Sequence, residues 1–227
     1  MGMFDSLLIP TVNDIIGNNG WTTEQKIVFF ENALRATGRQ GVEEILAFLH
    51  NTDFFYAPAS STYHSNYKGG LLDHSIIVFI LAMKFHRVMV ESKPGLVNEM
   101  PDDAVAISAL LHDVCKVCFY VPALKWKKGN DGKWFNYNGY DIEDTFPIGH
   151  GEKSVIMLQN IGLDMTPAEM LAIRFHMGFW GGEGNDLKYS HTKALKICPL
   201  VLVLQMADFA ASTAFEVEIE AIPVEKV

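Results

Sequence analysis

The segment Pro101-Asp102-Asp103-Ala104-Val105-Ala106-Ile107-Ser108-Ala109-Leu110-Leu111-His112-Asp113-Val114-Cys115-Lys116 runs from a helix start signal into a histidine-aspartate pair. A proline followed by two aspartates suits a first helical turn, where exposed N–H groups and the helix dipole favour acid. The apolar run behind it predicts a helix over about 102 to 117. The same kind of signal recurs on both sides. Thr22 is followed by Gln25, and Thr166-Pro167-Ala168-Glu169 combines an N-cap, a first-turn proline and a capping box, so helices are expected at about 23 to 36 and 167 to 177. Apolar periodicity extends the helical reading to 71–90, 151–161 and 200–215, with a further segment at 40–50. The fold class is therefore all-α. One exception is expected, a small β-hairpin at about 124 to 138, where Leu124-Lys125-Trp126-Lys127-Lys128 and Lys133-Trp134-Phe135-Asn136-Tyr137 flank the turn residues Gly129-Asn130-Asp131-Gly132.

Composition sets the outer bounds. A chain of 227 residues with 49% hydrophobic and 20% charged residues can bury a full core and reads as one unit. Its formal charge of -9 argues against long duplex nucleic acid as a partner, because that binding needs many lysines and arginines. Three cysteines make no complete disulfide framework, so a reducing cytoplasm is the expected location. No N-terminal stretch has the pattern of a secretion signal. Met1-Gly2-Met3-Phe4-Asp5-Ser6 fits a loose myristoylation pattern, but no polybasic segment follows it. The apolar run Ile197 to Ala207 contains Pro199 and Gln205 and is too short to span a bilayer, so no membrane partner is expected.

Four of the eight histidines lie in contexts unlike solvated surface. His74 ends Gly69-Gly70-Leu71-Leu72-Asp73-His74, His112 ends Leu110-Leu111-His112, His150 lies in Ile148-Gly149-His150-Gly151, and His176 ends Ile173-Arg174-Phe175-His176. Neutral imidazole is the commonest metal ligand, and an adjacent carboxylate adds the charge that a divalent ion requires. His112 and Asp113 stand out for that reason. Consecutive helical residues point about 100° apart, so both reach one cluster only from the wedge between them. Asp208 is an acid on the otherwise apolar stretch from Leu202 to Ala210, which favours a cation or a solvent-filled cavity beside it. Taken singly, each of these residues could equally be a hydrogen-bonded core histidine or a helix-end aspartate.

Taken together they resemble the HD-domain superfamily of metal-dependent phosphohydrolases. That family's signature is a histidine, a His-Asp pair on a helix and a distant aspartate, with two intervening histidines in members that hold two metals. His74, His112-Asp113, His150, His176 and Asp208 match it in order, over roughly residues 58 to 215. Pro58-Ala59-Ser60, His64 and Tyr67-Lys68-Gly69-Gly70-Leu71-Leu72-Asp73-His74 are similar to the entry segment of HD domains in certain 3′ to 5′ exoribonucleases and relaxase-type proteins. Those relatives commonly carry two adjacent histidines where this chain has Tyr63-His64.

The resemblance implies a single HD-type helical bundle over 1–227, with N-terminal helices at 1–57, the HD core at 58–215 and a tail at 216–227. It implies two divalent transition metal ions, manganese, iron, nickel, cobalt or zinc. His74, His112, Asp113 and Asp208 would surround one ion, and Asp113, His150 and His176 the other. A hydroxide between them would attack phosphorus in line with the leaving alkoxide. Lys116 corresponds to a lysine often seen after the His-Asp pair and would contact a phosphate oxygen, while attraction to a helix C-terminus is its other reading. The implied partner is a small phosphorylated substrate, a nucleotide or short oligonucleotide. His64, Lys68, Arg174, Tyr67 and Trp180 neighbour these ligands in sequence and could bind phosphate or stack on a base, or could be packed or solvated.

Two other classes stay open, a non-catalytic nucleotide-binding module and a di-iron oxygenase of the HD type. Cys115-x-x-Cys118 has no second pair at zinc-site spacing and no strand before it, so two small thiols near a helix end are expected. Gly181-Gly182-Glu183-Gly184 reads as a loop, and His50, His86 and His191 as ordinary core or surface positions. No nucleophile elbow, Walker loop or dinucleotide fingerprint is present.

Overall fold

Thr11 and Thr22 each close a capping box, which opens α1 (Val12–Ile16) and α2 (Thr23–Ala36). The computed structural model describes residues 3–4, 7–17, 20–178, 185–216, 221–222 and 224. Two more helices, α3 (Val42–His50) and α4 (Gly70–Ser92), precede α5 (Asp102–Leu111). The chain then forms β1 (Tyr120–Lys128) and β2 (Trp134–Ile142), paired antiparallel from Tyr120 opposite Ile142 to Lys128 opposite Trp134. It ends in α6 (His150–Ile161), α7 (Pro167–Arg174), α8 (Asn185–Ile197) and α9 (Pro199–Ala210), the last running into a π-helical turn over Ala211–Phe215. The molecule is thus mostly helical with one small two-stranded sheet. Among the described residues, no single helix is long and apolar enough to cross a membrane.

Several boundaries differ from the sequence reading. The helix expected to 117 ends at Leu111, and a 3-10 turn over Val114–Lys116 follows. The helix expected to 177 stops at Arg174. The apolar pattern continues past both ends because the residues beyond them are also buried. The hairpin is longer than 124–138 at its base, where Tyr120 to Ala123 pair with Gly139 to Ile142 without a turn signal to mark them. Helix α8 went unread, since its sequence is largely polar.

Helices α4 and α5 form the centre. Every residue from Gly70 to Ala82 is buried, as is every residue from Ala104 to Leu111, so these helices are covered on all sides and show weak amphipathic contrast. Phe30, Phe54 and Phe55 make one aromatic cluster and Phe4, Phe29 and Phe79 another. Helices α1, α2 and α9 pack on α4, while α7 packs on α5 and α9. At the start of α4, Gly69 has φ +88° and a Cβ on Gly70 would lie 2.0 Å from Ser65 O. The glycine pair lets the loop that carries His64 press onto the first turn of α4. After Phe215 the chain returns to the hairpin, where Val224 N–H donates to Asn136 O at 3.0 Å.

Candidate metal centre

The ends of helices deliver the central side chains. His112 caps the C-terminus of α5, and Asp113 follows with φ -108° and ψ 20°. His112 keeps helical dihedrals, φ -57° and ψ -32°, while Asp113 departs from them, and both side chains reach one cluster. His176 follows the last turn of α7. His112 Nδ1 is 2.9 Å from Ala109 O, and His176 Nδ1 is 2.7 Å from Ile173 O. A carbonyl accepts only, so in each ring Nδ1 carries the proton and Nε2 is left with its lone pair.

His74, in the second turn of α4, meets them from the other side. Its Nε2 lies 3.0 Å from His112 Nε2, 3.5 Å from Asp113 Oδ2 and 3.2 Å from Asp208 Oδ1 on α9. His112 Nε2 is 3.4 Å from Asp113 Oδ2 and 3.9 Å from Asp208 Oδ1. Donors on a tetrahedral ion with bonds near 2.0–2.2 Å stand about 3.3–3.6 Å apart, close to the separations among His74, His112 and Asp113, whose donor atoms could hold one metal ion.

Further donor atoms face the other side of the same carboxylate. Asp113 Oδ1 is 3.6 Å from His176 Nε2, and both atoms are buried without a hydrogen-bond partner. Neither has a proton to give the other, and two buried acceptors face to face are costly unless a cation lies between them. His150, the first residue of α6, stands beside this carboxylate: donor atoms of Asp113, Cys115 and His150 lie within 4.8 Å of one another. Gly151 makes that placement possible, because a Cβ there would meet Arg174 O at 2.2 Å where α6 starts against the end of α7. The buried histidine, aspartate and cysteine side chains thus fit divalent cations.

Without an ion, protons and Lys116 supply the positive charge. Burial opposes a charge on His74, but Glu216 and Asp208 outweigh it and raise its pKa to about 10. Burial and the neighbouring charge of His112 push His176 down to about 4. For Asp113, burial is outweighed by Lys116 and His112, which hold its carboxyl well below the usual range. Asp208 is depressed too, its burial overcome by a hydrogen bond from His74 and the charges of His176 and His74. Lys116 Nζ lies 2.7 Å from Asp113 Oδ2 and 2.7 Å from Ala59 O. Its ammonium therefore lies against the cluster.

Sequence reasoning missed Glu216. Its carboxylate lies 2.6 Å from His74 Nδ1 and accepts from Ser65 Oγ at 2.6 Å. A carboxylate behind a histidine fixes the ring and strengthens it as a donor at the other nitrogen. Nothing distinguishes Glu216 in sequence from Glu218 or Glu220.

A cavity of 230 Å³ opens onto the cluster, lined by His64, Asp113, Lys116, His176, Asp208 and Phe209 among others. The His64 ring is 5.3 Å from that of His74, and burial, then His74, lower its pKa to about 4. The remaining candidates lie elsewhere. Tyr67 donates to Asp73 Oδ2 at 2.9 Å, and Asp73 also holds Lys26 at 2.8 Å, which anchors α4 on α2. Lys68 is exposed over the ring of Tyr56. Arg174 pairs with Glu152 and covers Phe175. Trp180 and Gly181 to Gly184 lie outside the described residues. His50 meets Glu31 at the surface, His86 is buried beside Asp102, and His191 is buried against Gln205 and Phe175. Of the two thiols in Cys-x-x-Cys, Cys115 is buried and Cys118 exposed.

The architecture is mostly helical, and its His/Asp cluster could hold metal ions. Over 87 residues the chain is 33% identical to the dihydroneopterin 2′,3′-cyclic phosphate phosphodiesterase of Methanocaldococcus jannaschii, a stretch covering 38% of this chain and 31% of that protein. The chain thus matches about a third of the length of this curated relative. No family model matches the chain, and no solved structure matches it significantly.

Proposed function

We propose that this chain is a metal-dependent phosphohydrolase of the HD-domain type, one unit with its core at 58–215, that cleaves a phosphoester of a nucleotide or short oligonucleotide. The observation that carries this is the shared carboxylate of Asp113. One oxygen faces His74 and His112, and the other faces the unpartnered Nε2 of His176. That arrangement supports two ions, the first with His74, His112, Asp113 and Asp208, the second with Asp113, His150 and His176. The partial likeness to a cyclic phosphate phosphodiesterase supports phosphoester cleavage as the reaction class.

Held by these residues, divalent ions would supply a water of lowered pKa and electrostatic stabilisation of the phosphate. The chain's own residues do the rest. Lys116, held by Ala59 O at the cavity wall, presents its ammonium to a phosphate oxygen once Asp113 is engaged by cations. His64 stays neutral and offers a hydrogen bond to the ester from the opposite loop. Phe209 and Met177, both partly exposed at the cavity, give the organic part of the substrate an apolar surface. Lys68 and Arg174 would act only on portions of substrate that extend beyond the cavity.

The test is a screen of purified protein, supplemented with manganese, iron, cobalt, nickel or zinc, against mononucleotides, cyclic nucleotides and short oligonucleotides. Turnover that needs the metal and disappears in Asp113→Asn is expected. Failure to hydrolyse any phosphoester with any of these metals overturns the proposal.

A further inference from the structure

Cys115 is 1% exposed and lies two residues after Asp113, in the 3-10 turn. Its Sγ is 3.6 Å from His150 Nδ1. The two side chains are held by fixed elements, since Cys115 N–H donates at 3.2 Å to Ser154 Oγ on α6, the helix that His150 begins. Sulfur and nitrogen on one tetrahedral ion, with bonds near 2.3 and 2.0 Å, stand about 3.5 Å apart, which agrees with the separation seen. The third member of this group is Asp113, the buried carboxylate with an oxygen that has no hydrogen-bond partner.

We propose that Cys115 is a thiolate ligand of the second ion, alongside His150 and Asp113, which makes the centre asymmetric. One position then offers only nitrogen and oxygen, while the other carries sulfur. This rests on the two-metal reading above and adds a donor that the histidine-aspartate pattern lacks. Thiolate with imidazole selects zinc, iron(II) or cobalt over magnesium and manganese, so the two positions differ in metal preference.

Cobalt(II) tests it by spectrum, without reference to activity. Metal-free protein titrated with cobalt is expected to develop a thiolate-to-cobalt charge-transfer band in the near ultraviolet as the second position fills. Cys115→Ala should lose the band and bind that ion at least about tenfold more weakly, whereas Cys118→Ala and Cys198→Ala should keep both. Two cobalt ions per chain with no such band in the unaltered protein would mean that the 3.6 Å contact is only a thiol-imidazole hydrogen bond; the inference then fails and the two-metal reading stands. No cobalt bound at all overturns both. A band that persists in Cys115→Ala also overturns the inference, and the spectrum of the unaltered protein decides even where a variant fails to fold.

Discussion

The Nδ1 atoms of His74, His112 and His176 each have a partner fixed by a neighbour, and the charged groups around the rings set their titration. His74 without metal is an imidazolium at neutral pH, because its pKa is raised to about 10. An ion needs the Nε2 lone pair, so binding must expel that proton, and affinity should rise with pH through neutrality. Calorimetric titration in buffers of different ionisation enthalpy should show about one proton released with the first ion; no release and a flat affinity from pH 6 to 9 would contradict it. Stability of the metal-free protein carries the same signature. His74, raised in the folded state, contributes fully below its unfolded value of about 6.5 and loses that contribution as pH climbs toward 10. His176, lowered to about 4, acts in the opposite sense: between about 6.5 and 4 the unfolded chain takes up its proton first, so stability falls as pH falls. Thermal midpoints of the metal-free protein should therefore peak near pH 6.5. His176 also separates one ion from two. His176→Ala should lower elemental metal content from about two to about one per chain and reduce turnover steeply, with the helical circular dichroism unchanged. Two ions retained, or full activity with one, would remove this histidine from the centre.

At the scale of elements, the ligands depend on two helices being held at their far ends. Arg39 reaches Asp103 in the first turn of α5 at 2.6 Å and Glu169 in the first turn of α7 at 2.9 Å, while His112 and His176 leave the opposite ends of those helices. Glu169 is fully buried and would lose its cation, so Arg39→Met should cost about 3 kcal/mol in denaturant unfolding. It should also weaken the second ion more than the first, since His176 then loses its register with Asp113. An unchanged unfolding midpoint would make the clamp incidental. The hairpin is the other element with a definable role. Its base touches the site where Tyr120 Oη donates to Ala59 O, the carbonyl that also holds Lys116, and it exposes Trp126 and Trp134. Replacing Lys125 to Tyr137 with a short glycine linker should change substrate preference across a panel while metal content stays constant. Identical kinetics on every substrate would assign the hairpin to the surface alone.

Across the whole molecule, the readable parts were those whose chemistry contradicts their surroundings. His74, His112, Asp113, His176 and Asp208 stand out as polar groups in apolar sequence, and the structure brings all five to one cluster with His150 beside it. The helix starts after Thr22 and Thr166 were readable because a capping box is local, while α1 went unread although Thr11 and Asp14 form one too. Helix ends at Leu111 and Arg174 were not, since hydrophobic pattern records burial and the chain stays buried past both points. Helix α8 hid behind its polar residues. Glu216 hid among equivalent glutamates, because its role comes from a partner 142 residues away. That distance also has a kinetic consequence. An ion held by His74 on α4, His112 and Asp113 after α5, and Asp208 on α9 would tie together segments far apart in the chain, as a covalent cross-link would, and its exit is expected to follow the separation of α9 from α4. Loss of metal to excess chelator should then be independent of chelator concentration and run at the rate at which amides of α9 exchange with deuterium. The ion becomes a clock for the opening of the fold, and a release rate that climbs with chelator would show instead that the cavity alone lets it out.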